Sequence, residues 1–301
     1  MKKTLFPIVS GIFIIILISF SFSNKYEVNN ETYQSGFEDN IKVFAVEIPH
    51  NIKFADEKVP LNKFYVKEAL EREMTVNTYF HSSSIFLIKK AQRWFPVIEP
   101  ILKENNIPDD FKYLAVAESG LSQIVSPAGA TGIWQIMKHT GRELGLEINT
   151  DIDQRYDVEL ATKAACKYLN KAYEKYGNWT LVAASYNAGT NKISKELERQ
   201  QQDNYYDMIF GEETGRYVYR ILAIKALLEK PEDYGFYLRK KDLYKPYKLK
   251  KITVDTAISN IPAFAKSFDL NYKEFKIYNP WIRQAYLANK SRRTYTISIP
   301  K

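Results

Sequence analysis

The chain has 301 residues, 45% hydrophobic and 26% charged, a balance that excludes a disordered polymer and supplies one substantial core plus a smaller module. Its formal charge of +8 favours association with polyanions, and charge alone does not choose between nucleic acid, anionic wall polymers and membrane surfaces. A single cysteine, Cys166, excludes an internal disulfide and reads, in its Ala-rich stretch, as a small buried apolar residue.

Lys2 and Lys3 precede an apolar run over 5–20, and Ser21-Phe22-Ser23 places small residues where a signal peptidase reads. Residues 1–23 are therefore expected to be a signal peptide or a membrane anchor, and either places the body outside the cytoplasm. No Cys follows the run, so a lipoprotein thioether has no attachment point. Residues 24–60 are polar and aperiodic and read as a linker.

Helical spacing then runs over 62–75, 83–104 and 109–119, the last entered through Pro108 with Asp109 and Asp110 where acids complement the helix dipole. Gly and Pro interrupt any long period over 120–140, where a short extended pair fits near 131–136. Helical patterns return over 158–176, 179–188, 192–201 and 215–228. A basic, Tyr-rich linker over 239–250 leads to a last module, 251–301. Its order is strand (252–254), helix (261–267), helix (272–279), strand (295–299). The expected fold class is mainly α over 61–238, followed by a small α+β module.

A carboxyl group acts as a general acid at neutral pH when its surroundings raise its pKa, and burial on an apolar face does so. Glu118 shares a helix face with Phe111, Leu114 and Ala115, and its place in the last turn before Gly120 sets it at the negative end of the dipole. The segment Ser126-Pro127-Ala128-Gly129-Ala130-Thr131-Gly132-Ile133-Trp134-Gln135 adds glycines that let backbone approach a ligand, with a Trp and a Gln suited to sugar faces and amides. Downstream come Ser185-Tyr186-Asn187-Ala188-Gly189 and Glu213-Thr214-Gly215-Arg216-Tyr217. Taken singly, each of these reads as a helix cap or a core position.

In this order the motifs resemble the lytic murein transglycosylases with a goose-lysozyme-like catalytic domain, and among them the membrane-bound type D enzymes. The resemblance runs over about 94–235 and takes in Glu118-Ser119, the Gly129–Gln135 element, Asp153 to Asp157, and the helix with Ala164, Ala165 and Leu169. It continues through Tyr186 to Gly189, Glu213-Thr214 and Tyr217-Val218. Ser185 and Ile133 depart from the usual Ala and Leu and leave the polar atoms in place.

The resemblance implies that Glu118 is the catalytic acid and base and that Gln135 and Met137 face the saccharide near its acetamido group. Tyr186 and Asn187 would line the cleft floor, Tyr217 would orient Glu118, Ser126 counts among the substrate-binding residues, and Ser119 is a local structural partner. Glu118 would protonate the leaving glycosidic oxygen, then take the proton of the C6 hydroxyl as a 1,6-anhydro ring closes, so no second carboxylate is needed. If one exists, Asp151, Asp153 and Asp157 are the candidates, against their reading as turn and cap residues.

His50, His81 and His139 lack ligand spacing and no phosphate-binding GxxxxGK loop occurs, so neither metal nor cofactor is expected. The last module is similar to a LysM repeat through Asn279-Pro280-Trp281 and Ser298-Ile299-Pro300, with Val254-Asp255-Thr256 in place of Gly-Asp-Thr; glycan binding and a spacer role both remain open for it. The expected partner is the peptidoglycan glycan strand, in the periplasm or cell envelope, with membrane association left to the N-terminal segment. Two other readings stand beside the transglycosylase: a hydrolytic muramidase of the same fold, and an inactive wall-binding protein.

Overall fold

The computed structural model describes residues 43–290 and 292–301; the expected signal or anchor and the first part of the expected linker lie outside them. The remainder of that linker enters the fold. β1 (Lys53–Phe54) and β2 (Glu57–Lys58) form an antiparallel hairpin, and Ile52, Phe54 and Val59 are buried in the main core. Two residues per strand are too few to show a period, which is why the segment read as polar linker. The hairpin also has work to do. Ala55 N–H donates to Asp110 at 2.6 Å, and the Glu57 carboxylate accepts from the N–H groups of Trp179 and Thr180 at 2.6 and 2.9 Å, closing a helix N-terminus.

The body is helical: α1 (Phe64–Tyr79), α2 (His81–Glu104), α3 (Phe111–Ser119), α4 (Lys138–Glu143), α5 (Val158–Tyr176), α6 (Trp179–Ala188), α7 (Thr190–Gln200) and α8 (Glu212–Glu229). Asp157 caps α5 by accepting from Leu160 N–H at 2.9 Å, and Gly177 ends it at φ +60°. Its buried face is mostly alanine (Ala161, Ala164, Ala165, Ala172, with Leu169), and these small side chains let α2 and α6 pack closely on it. α8 is enclosed by α1, α3 and α6, so Tyr217, Val218, Ile221, Leu222 and Ala223 are buried in succession rather than on one stripe. The six-residue α4 is too short to carry a period and was not expected.

The last module pairs β3 (Leu249–Val254) with β4 (Tyr295–Pro300) antiparallel, from Leu249↔Pro300 to Val254↔Tyr295, and packs α9 (Ile261–Lys266) and α10 (Tyr272–Tyr278) on them. Its core of Ile261, Phe275, Ile282, Leu287 and Ile297 is completed by Ile152 and Tyr156 from the body. Backbone bonds join the two: Asp153 N–H to Trp281 C=O at 2.8 Å and Arg283 N–H to Asp151 C=O at 2.7 Å. The basic stretch before the module likewise lies along α2, with Tyr244 N–H donating to Lys89 C=O and the Arg93 guanidinium 4.4 Å from the Tyr247 ring. The observed architecture is a mainly helical body with a small α+β module. Among the described residues no helix is long and apolar enough to cross a membrane.

Candidate active site

Glu118 sits one residue before the end of α3, which Gly120 terminates at φ +57° with its N–H on Val116 C=O at 2.8 Å. Burial pushes its carboxyl up to about 7. The buried Tyr217 of α8 donates its hydroxyl to Glu118 Oε1 and partly offsets that rise; Glu213 adds to it and Arg220 subtracts from it. Tyr186, on α6, donates to Trp134 C=O at 2.7 Å and meets Tyr168 edge to face at 5.3 Å. Burial and the Glu118 charge hold both phenols well above their usual range, so they remain hydrogen-bond donors at neutral pH.

The Gly129–Gln135 loop is strapped to the end of α3 and to Arg155 by several groups. Ser119 Oγ donates to Ile133 C=O at 2.8 Å, and Arg155 Nη1 donates to the carbonyls of Gly129 and Ile136 at 3.0 and 3.1 Å. Arg155 is itself gripped by Asp153 through two bonds, Nε–Oδ1 at 2.9 Å and Nη2–Oδ2 at 2.7 Å. Gly132, at φ +84°, passes so near this strap that a Cβ there would fall 2.1 Å from Arg155 O.

The residues singled out from sequence divide into two groups. Glu118, Tyr217 and Tyr186 come together, and Asn187 joins the same helix pair by accepting from Thr214 Oγ1 at 3.0 Å. Ser126 and Gln135 serve the loop itself: Ser126 Oγ accepts from Ala130 N–H at 3.0 Å, and Gln135 Nε2 donates to Gly132 and Ile124 carbonyls at 2.8 and 3.1 Å. Met137 is half-buried at the start of α4. Trp134 does not present a face to a sugar; it is fully buried, with Nε1 donating to Thr162 Oγ1 at 2.8 Å.

The aspartates considered as second carboxylates are each committed elsewhere. Asp153 holds Arg155, Asp157 caps α5, and Asp151 accepts from Ala288 N–H at 3.2 Å. The carboxylate whose charge does reach Glu118 is Glu213, itself paired with Arg220 at 3.0 Å. Sequence reasoning missed Arg220 and Glu73 and gave no role to Arg216 inside its Glu213–Tyr217 segment; spacing from Tyr217 on α8 could have found Arg220, but nothing in the order of residues links the arginines to Glu73 on α1. Cys166 is buried, its thiol pushed up to about 12.

A family model of the transglycosylase SLT domain matches residues 95–209, and one of the soluble lytic transglycosylase C-terminal LysM-like domain matches residues 250–301. These two matches give the chain a transglycosylase SLT domain followed by a LysM-like domain. It is similar to the membrane-bound lytic murein transglycosylases D of Escherichia coli strain K12 and strain O6:H1 CFT073, each 29% identical over 185 residues covering 59% of this chain. It spans 40% of the length of these relatives. Among solved structures, the 70 kDa soluble lytic transglycosylase SLT70 of Escherichia coli aligns over 50% of this chain and 26% of its own at 24% identity, with a TM-score of 0.39.

Proposed function

We propose that this protein is a peptidoglycan lytic transglycosylase that cleaves the β-1,4 bond from N-acetylmuramic acid to N-acetylglucosamine and leaves 1,6-anhydro-muramic ends. The observation that carries this reading is the carboxyl of Glu118, half-buried at the end of α3, bonded by Tyr217 and held protonated up to about 7, while Asp151, Asp153 and Asp157 are spent on structure. Protonated Glu118 gives its proton to the glycosidic oxygen as the bond to the anomeric carbon breaks. The muramic acetamido group assists at that carbon. The Glu118 carboxylate then takes the proton from the same residue's C6 hydroxyl, whose oxygen closes on the anomeric carbon, and the enzyme returns to its starting state. Water takes no part, which fits the engagement of Asp151, Asp153 and Asp157 in structural bonds and of Glu213 with Arg220.

Tyr217 orients the acid, Tyr186 and Asn187 form the floor, and Gln135 and Met137 border the saccharide. A groove between body and module, lined by Trp94, Tyr247, Tyr278 and Trp281 with Asp157 and Glu159, supports glycan contact by the LysM-like domain. Export to the cell envelope follows from the substrate and from the apolar segment at 5–20.

The test is mass spectrometry of soluble products from purified peptidoglycan, with Glu118→Gln in parallel. Anhydro-muramic products absent from the variant support the reading. Products one water heavier make it a hydrolase, and no products from either protein leave the wall-binding alternative.

A further inference from the structure

Glu73 lies on α1, outside the stretch matched by the SLT domain, and is 1% exposed. A carboxylate so buried persists only with cations around it, and the cations come from across the interface with α8. Arg216 Nε donates to its Oε1 at 2.6 Å, and Arg220 Nε lies 3.7 Å from its Oε2. Arg72, on its own helix, adds a contact at 3.4 Å, and the buried Tyr205 also feels its charge. These two arginines flank Tyr217 in α8, one residue before it and three after, so whatever fixes them fixes the turn that holds Glu118.

Each arginine has a second tether on its own helix. Arg216 Nη1 reaches Glu212 at 3.1 Å, and Arg220 donates twice to Glu213, from Nη1 at 3.0 Å and Nη2 at 3.3 Å, so that Glu73 acts on Arg220 by charge at 3.7 Å; those two carboxylates are 75% and 63% exposed, where water competes for the arginines. Glu73 is the one buried anchor. The titratable groups that act on Glu118 are Tyr186 from α6 and Glu213, Tyr217 and Arg220 from α8. Of these only Arg220 carries a positive charge, and its guanidinium is shared between Glu213, which accepts two hydrogen bonds, and the buried Glu73 of α1 at 3.7 Å.

We propose that Glu73 is a positioning residue that holds the Arg216 and Arg220 guanidinia against α1 and away from the Glu118 carboxyl, so that a phenol rather than a cation faces the acid. This rests on the reading of Glu118 as the general acid. Freed from Glu73, Arg220 would turn its charge onto Glu118, stabilise the carboxylate and deplete the protonated form that the reaction uses.

The test compares pH–rate profiles of the full chain on purified glycan strands for wild type, Glu73→Gln, Glu73→Asp, Arg220→Gln and Glu118→Gln. The alkaline limb, where Glu118 loses its proton, moves down by roughly one pH unit in Glu73→Gln and by less in Glu73→Asp, whose shorter side chain keeps the charge. In Arg220→Gln it moves up. General loosening of the fold does not give opposite signs. Should Glu73→Gln fail to fold, Glu73→Asp and Arg220→Gln still carry the comparison. Limbs that stay at the wild-type pH in all folded variants, while Glu118→Gln is inactive, overturn the positioning role. An active Glu118→Gln overturns the reading beneath it instead.

Discussion

Tyr217, buried in α8, donates its hydroxyl to the carboxyl of Glu118, 99 residues earlier in the chain, at the end of α3. Tyr217→Phe keeps the ring and removes the bond. A hydrogen bond to a charged partner contributes about 1.5–3 kcal/mol, so we expect turnover to fall roughly 10- to 100-fold. Because the phenol stabilises the carboxylate, its loss raises the Glu118 pKa further above about 7. The alkaline limb of the pH–rate profile should move up; a downward shift would show that the bond serves the protonated acid.

The same burial has a stability signature. The folded state holds the Glu118 proton up to about 7, against an ordinary carboxyl value of 4.5. The contribution is fully present below 4.5 and is lost as pH rises through 7, leaving a penalty of up to about 3 kcal/mol in the ionised protein. Melting curves of Glu118→Gln and wild type should therefore coincide below pH 4.5 and separate above pH 7, with the variant higher. Parallel curves across the range would place the carboxyl in solvent.

Gly132→Ala puts a methyl group 2.1 Å from a backbone oxygen at φ +84°. Neither partner can give way without releasing the Arg155 strap, so a loss of at least about 3 kcal/mol is expected. Denaturant titration reads this directly, and a loss under about 1 kcal/mol would mean that the loop is not pinned.

Ile282, fully buried in the last module, pairs with Ile152 of the body in an isolated β-bridge beside Asp153. Ile282→Ala should cost about 2–4 kcal/mol. Since Asp153 carries the Arg155 strap, the same change should lower kcat on short soluble glycans more than it raises KM. An effect on KM alone would make the module a binding device and no brace for the cleft.

Much of this was legible in the sequence. The α5 and α6 helices run over the expected 158–176 and 179–188, because an Asp157 or Asn178 cap, an apolar period and a Gly stop are local signals that neighbouring residues settle among themselves. The burial of Glu118 was foreshadowed by its face with Phe111, Leu114 and Ala115. The β1–β2 hairpin was not legible, since a strand of two residues has no period and earns its place only by capping α6 and filling the core with Phe54. Trp134 misled for a related reason: an aromatic ring suits a sugar face or a core equally well, and only the Thr162 partner on α5 decides which.

The sequence alone determined the helical body, the strand-helix-helix-strand order of the module and the identity of the acid's own helix face, all of which depend on contacts a few residues apart. The tertiary structure decided which charges stand around that acid. Tyr217 bonds it from α8, Arg220 acts on it by charge from the same helix while lying 3.7 Å from Glu73 of α1, and the Asp153–Arg155 pair fixes the 129–135 loop while the module leans on the same segment. Electrostatic effects of this kind depend on distance and burial, quantities that residue order does not contain, so the proton affinity of Glu118 is set by packing between helices far apart in the chain.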